Sequence, residues 1–306
     1  MPTWFFYAIL GPLLWGIVNH ADRYLLNRHY KGHGVGAVLI FSALFSVLLL
    51  FLILFGIKAP VLEVGLNDRF LLVLIGMIGA GAFALYLHAL DIEETSIVVP
   101  FLQMAPVFGY FFGFIFLGEV LLTKEILASL LILIGVGMLS FEVDFENKIN
   151  FKFKMIFLAV GASVLFALQD TLFKSVAVTD GFWTSAFWEY VGLTIAGMII
   201  LITIPRYRRQ FFGIFKGRQY SLIGINFMSE SLYLTGNLAI SFATLSAPVA
   251  LVMVIGSYQP LFVLLTGIVG TLLFPKLFDE KIKGRMLVQK IISVIIIFLG
   301  SCWLYI

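Results

Sequence analysis

Charge is scarce in this sequence. Only 12% of its 306 residues are Asp, Glu, Lys or Arg, while 61% are hydrophobic, against about a quarter and about half in an ordinary soluble domain. So few charges cannot clothe a water-facing surface of this size, which excludes a pair of soluble domains. Cysteine is nearly absent too: Cys302 stands alone, so neither an intramolecular disulfide nor a Cys-based metal site can form. The net charge is only +3, dispersed along the chain, and no nucleic-acid partner is expected. The phosphate-cradling P-loop, the zinc-binding HExxH and the nucleophile-elbow GxSxG patterns do not occur, and no cofactor is expected. His29 and His33 are one helical turn apart but have no third ligand nearby, so no metal site is assigned to them.

What the chain has in place of charge is long apolar runs, 32 Phe and a mean hydropathy of +1.06. A hydrocarbon core about 30 Å thick needs roughly 20 residues of helix per crossing. The runs fall near residues 4–26, 35–57, 70–87, 95–118 and 121–141, then 155–178, 182–204, 220–241, 246–274 and 286–306. The first run has no basic stretch before it and carries polar residues inside it, so it reads as a retained helix rather than a cleaved leader. Between the fifth and sixth runs, residues 142–154 form the most polar stretch so far and the natural midpoint. Ser231–Pro275 contains no charge at all, and as one helix it would be about 67 Å long, twice a bilayer. A turn is therefore expected within 241–248, where Pro248 follows Thr244 and Ser246. The expected fold is an all-α integral membrane protein of ten transmembrane helices.

The two halves repeat. Trp15-Gly16 is followed by Asn19 and Arg23; Phe166-Ala167 is followed by Asp170 and Lys174 at the same spacing. Gln103-Met-Ala-Pro106-Val-Phe108 answers Ser257-Tyr-Gln259-Pro260-Leu-Phe262. Ala89-Leu90 precedes the first and Ala239-Ile240 the second. Five spans per repeat is an odd number, so the copies sit in opposite orientations, and such inverted repeats commonly surround a midplane site in transporters. The division is residues 1-147 and 148-306.

These residues carry a family resemblance. Ala89 to Pro100, Pro106-Val-Phe108, Leu117-Gly-Glu119 and Gly135-Val-Gly137 resemble one EamA repeat; Ala239-Ile240, Ala247 to Val252 and Gln259 to Phe262 resemble a second. The likeness is to the drug/metabolite transporter superfamily and covers nearly the whole chain. It implies secondary transport of a small organic solute by alternating access, as an exporter or exchanger in the cell membrane, with an amino acid or similar metabolite as cargo. It also implies a cavity lined by the first, third, fourth, sixth, eighth and ninth helices. The second copy departs from the pattern, since Glu280 lies 20 residues beyond Pro260 whereas Glu119 lies 13 beyond Pro106; Glu280 is therefore not assigned to the site.

Of the 20 Lys and Arg, 16 fall on the side of the loop after the first helix and 4 on the other. The positive-inside rule then places both termini outside. The family resemblance implies cytoplasmic termini, whereas the charge distribution predicts termini outside.

An ionisable group at mid-helix costs about 2.5–3.5 kcal/mol on insertion scales, so each needs a reason. Asp170 and Lys174, one turn apart, are expected to neutralise one another. Asn19, Asp22 and Arg23 occupy the matching place in the first repeat, and Arg23 and Lys174 lie near enough to helix ends to snorkel. Glu230 sits near the centre of the eighth run with Asn226, Tyr233 and Asn237 on the same face. It is the leading candidate for proton coupling. Glu189 is ranked lower because Trp183 and Trp188 place it near an interface. Gln103 and Gln259 precede prolines that free the carbonyls of Leu102 and Gly256, offering polar groups to a cavity. Gly109 and Gly113, like Gly76, Gly79 and Gly81, read as close-packing devices. The expected substrate-lining or coupling set is Asn19, Asp22, Gln103, Asp170, Asn226, Glu230, Tyr233, Asn237 and Gln259. Expected partners are membrane lipid, a small-molecule substrate and protons. The competing classes are an intramembrane enzyme acting on a lipid-linked substrate, for which only the Asn19–Arg23 cluster offers a place, and an oligomeric pore, which the repeat disfavours.

Overall fold

A computed structural model describes residues 2–28, 35–92, 98, 101–140, 153–215, 220–273 and 285–305, with the backbone alone at 21–28, 139–140, 214–215, 220–223, 285–287 and 305. Among the described residues every regular element is helical. In chain order these are α1 (Thr3–Arg28), α2 (Val35–Phe51), α3 (Leu66–Leu90), α4 (Ala105–Phe112), α5 (Thr123–Ser140), α6 (Phe153–Asp180), α7 (Phe182–Thr203), α8 (Pro205–Phe215), α9 (Tyr220–Thr244), α10 (Val249–Gly256), α11 (Gln259–Leu273) and α12 (Arg285–Tyr305). Two of them finish in a wider π turn, Leu52–Ile57 after α2 and Gly113–Leu117 after α4. Left-handed Lys58 (φ 58°) ends the first and Gly118 (φ 65°) the second.

Five stretches are long and apolar enough to cross a bilayer: Val35–Ile57, Leu66–Leu90, Phe153–Asp180, Phe182–Thr203 and the α10–α11 unit Val249–Leu273. Ala105–Leu117 and Val288–Leu304 are shorter apolar helices. The chain is a multi-pass membrane protein. Its outer surface fits lipid: Phe6, Phe55, Phe70, Phe157 and Leu272 are each more than half exposed, an arrangement that would drive aggregation in water.

Several helices cross at small residues, which let backbones approach where lipid offers no hydrophobic drive to association. α3 and α7 cross on two glycines: a Cβ at Gly76 would collide with the Glu189 carbonyl, and one at Gly192 with the Val73 carbonyl. Gly109 lies against Met253 and Ala250 where α4 meets α10. Thus Gly76 and Gly109 are the packing devices expected of them, whereas Gly81 meets only the tip of Leu165 at 3.8 Å. Gly181, at φ 87°, makes the one-residue reversal between α6 and α7, a backbone region that is essentially glycine's alone.

Two cores result. One joins Ala8 of α1, Ile132 and Val136 of α5, Ile240 of α9, Val254 and Ile255 of α10 and Ile297 of α12. The other joins Leu49 of α2, Leu72 and Ile75 of α3, Phe173 and Val176 of α6 and Tyr190 of α7. Each core draws on both halves of the sequence, so the halves interlock. The expected fold-back is present: α9 ends at Thr244 and α10 begins at Val249. The polar midpoint up to Lys152, the His29/His33 loop and Glu280 lie outside the described residues.

Candidate functional site

The two prolines singled out by sequence mark true interruptions. Before Pro106 the chain makes a turn at Gln103-Met104, and α4 restarts with Pro at its first turn, where a missing N–H costs nothing. The N–H groups of Val107 and Phe108 both reach back to the Met104 carbonyl, at 3.0 and 3.4 Å. The counterpart is the Ser257-Tyr258 turn between α10 and α11, with Gln259 and Pro260 opening the second piece. Irregular backbone at membrane depth is tolerated where protein or a cavity covers it. Gln103 and Gln259 are both half-buried at these breaks.

A polar and aromatic centre is formed by residues of α1, α3, α6, α7 and α9. The Trp15 indole N–H of α1 donates to the Tyr233 carbonyl of α9 at 3.4 Å, with the rings 6.3 Å apart. Phe83 of α3 stands 6.1 Å from the Tyr233 ring and 6.2 Å from Tyr86. On the facing helices, Gln169 of α6 donates its amide N–H to Glu189 Oε1 at 2.8 Å. Asp170 lies within electrostatic reach of Glu189, and Tyr190 lies close to both of them and to Tyr233. Further along the α9 stripe, the Ser42 hydroxyl of α2 donates to Glu230 Oε1. Asn226, one turn before, is also engaged.

Of the expected set, Tyr233 and Asp170 thus enter the centre, Glu230 borders it on the α2 side, and Gln103 and Gln259 lie at the breaks. Asn19 is half-buried one turn from Trp15, and Asn237 is half-buried one turn from Tyr233. The side chains of Asp22 and Arg23 lie outside the described residues.

The expected Asp170–Lys174 pair does not form. Lys174 Nζ instead donates to Glu119 Oε1 at 2.5 Å and to the Ala247 carbonyl at 2.7 Å. Glu119 follows the left-handed Gly118, and Gly113 leaves it room, with Oε2 2.7 Å from where a Cβ would stand. That oxygen accepts from the Val249 N–H at 2.9 Å, at the start of α10. One carboxylate therefore neutralises a cation on α6 and satisfies a free donor at a helix N-terminus, where negative charge is favoured. Local spacing favours Asp170, but tertiary packing brings in a better-placed acid 55 residues away.

Glu189 is also misjudged by sequence. Trp188 does lie at the edge, donating to the Val61 carbonyl at 2.8 Å beneath the Arg69 guanidinium. Glu189 itself points inward and is only 6% exposed. Gln169 and Glu119 are absent from the expected set, although a lone Lys within an apolar span is a signal that a distant carboxylate must meet it. His20 is a third omission: its Nε2 lies 3.0 Å from both the Val263 carbonyl and the Thr266 hydroxyl, tying α1 to α11. Among the described residues no cluster of three His, Cys, Asp or Glu is placed to hold a metal.

Comparison with known proteins places these features in context. Residues 2–141 match the sequence model of the EamA-like transporter family. No curated protein matches the chain. A crystal structure described only as that of a protein superimposes with a TM-score of 0.62 at 12% identity, covering 98% of this chain and 96% of the other. That likeness concerns the fold alone.

Proposed function

We propose that the chain is a transporter of the drug/metabolite transporter superfamily, since residues 2–141 match the EamA-like transporter family, and that it carries a small organic solute by alternating access around the centre between the helix breaks. The observation that carries this reading is the pair of interrupted helices at Gln103-Met104 and Ser257-Tyr258. Breaks at corresponding positions of two halves are a pointer to a transporter's midplane site.

The ten-helix reading counts α10–α11 as one crossing and leaves α8 out, giving inverted repeats at 1-147 and 148-306. Packing supports it: α1 lies on α9 as α6 lies on α3, and α5 pairs with α12, its own counterpart. The substrate-lining residues in this reading are Trp15, Asn19, Gln103, Asp170, Tyr233, Asn237 and Gln259. An aromatic wall with a few placed polar groups suits a small amphiphilic metabolite such as an amino acid. Glu230 and the Asp170–Glu189 neighbours are the groups able to take and release protons. The setting is the cell membrane, and the direction is export or exchange.

A thermal-shift screen of the purified protein against a metabolite library tests the reading. A saturable shift by one solute class, weakened in Tyr233→Ala, is expected; no shift by any solute tells against it. Orientation is tested separately. With both termini outside, a reporter fused at Ile306 reads as extracytoplasmic and one after Lys216 as cytoplasmic; the reverse result gives the termini to the cytoplasm.

A further inference from the structure

Helix α8 is not a span, and transport around the centre gives it no task. It follows α7 after Ile204 alone and is 11 residues long. It packs on α2 and α7. Its Tyr207 hydroxyl meets His88 Nε2, near the end of α3, at 2.9 Å. A Cβ at Gly36, the second residue of α2, would collide with the Tyr207 ring. The first turn of α2, the last turn of α3 and the end of α7 mark one edge of the bundle, so α8 is anchored along that edge, at the depth where spans leave the bilayer.

Its inner face is Tyr207 with Phe211. Its outer face carries Arg206, Arg208 and Arg209, all exposed, and none of the three side chains has an ion-pair or hydrogen-bond partner among the described residues. At 100° per residue Phe212 falls between Arg208 and Arg209, and it is 51% exposed. A basic helix with an aromatic on its outer face, held at the bilayer edge, has the chemistry of an interfacial helix. Guanidinium groups match phosphate oxygens in pairs and shed water more readily than ammonium groups.

We propose that α8 binds the headgroup of an anionic phospholipid, with Arg206, Arg208 and Arg209 on the phosphate and Phe212 in the acyl boundary beside it. The site rests on α8 alone and stands whether or not the transport reading does.

Native mass spectrometry and thermal unfolding in detergent test it, with phosphatidylglycerol and phosphatidylcholine in equal amounts. The parent should retain phosphatidylglycerol preferentially and unfold at a higher temperature with it. The variant Arg206→Gln/Arg208→Gln/Arg209→Gln should lose both effects while unfolding like the parent without lipid. Lys148→Gln/Lys152→Gln/Lys154→Gln removes the same charge from the midpoint linker and should keep both. Equal retention of the two lipids by the parent overturns the proposal whatever the variants do. So does an arginine variant that keeps the preference, a linker variant that loses it equally, or a full shift reproduced by inorganic phosphate alone.

Discussion

Glu119→Gln is expected to destabilise the protein by about 3–5 kcal/mol, the usual cost of leaving one member of a buried ion pair without its partner. Both side chains are largely enclosed, at 13% and 14% exposure, so water cannot take over the lost charge. The amide oxygen of Gln can still accept from the Val249 N–H, so the loss reports on the stranded Lys174 ammonium. Adding Lys174→Gln removes that stranded charge and should recover much of the stability, giving a strongly non-additive cycle in denaturant titration of the detergent-solubilised protein. Asp170→Asn combined with Lys174→Gln should instead be additive. A Glu119→Gln effect below about 1 kcal/mol would mean that the pair behaves like a solvent-exposed one.

Glu230→Gln is expected to abolish accumulation driven by a pH gradient while sparing solute exchange. A charged carboxylate at the middle of a span is costly, and Glu230 meets this cost with the Ser42 hydroxyl on Oε1 and other engaged contacts. Gln keeps the acceptor and the shape but cannot take up or release a proton. In proteoliposomes, gradient-driven uptake by the variant should fall to the level of empty vesicles, with Asn226→Ala as a control for damage to the same helix face. If the variant accumulates solute like the parent, Glu230 is a hydrogen-bonding residue only. Coupling would then pass to Asp170 and Glu189, tested by Asp170→Asn and Glu189→Gln.

Five of the spans, the reversal between Thr244 and Val249 and the interruptions at Pro106 and Pro260 were legible in the sequence because each rests on a local signal: run length, absence of charge, or a proline with no N–H to give. The side-chain partnerships were not. A helix surrounded by lipid and by other apolar helices has no polar side to distinguish outward from inward, so periodicity could not show that Glu189 faces the interior while Trp188 faces the edge. Gln169 with Glu189 and Lys174 with Glu119 are contacts between separate helices, and spacing along one helix carries no information about them. Tyr233 was found through its place on the Asn226–Asn237 stripe. Its neighbours Trp15 and Phe83 come from α1 and α3, and only the assembled bundle brings them together. The surface helix α8 was counted as loop charge because its amphipathic face is short and its anchor, Tyr207 on His88, is tertiary.

Counterflow tests the central claim most directly. Vesicles holding purified protein would be loaded with a solute that stabilises it, and entry of a labelled trace of that solute would be followed without any pH gradient. A carrier that alternates around one central site predicts saturable entry accelerated by unlabelled solute inside, with Tyr233→Ala weakened and Glu230→Gln intact. Entry that rises linearly with concentration and ignores the solute inside would contradict the account and identify a pore.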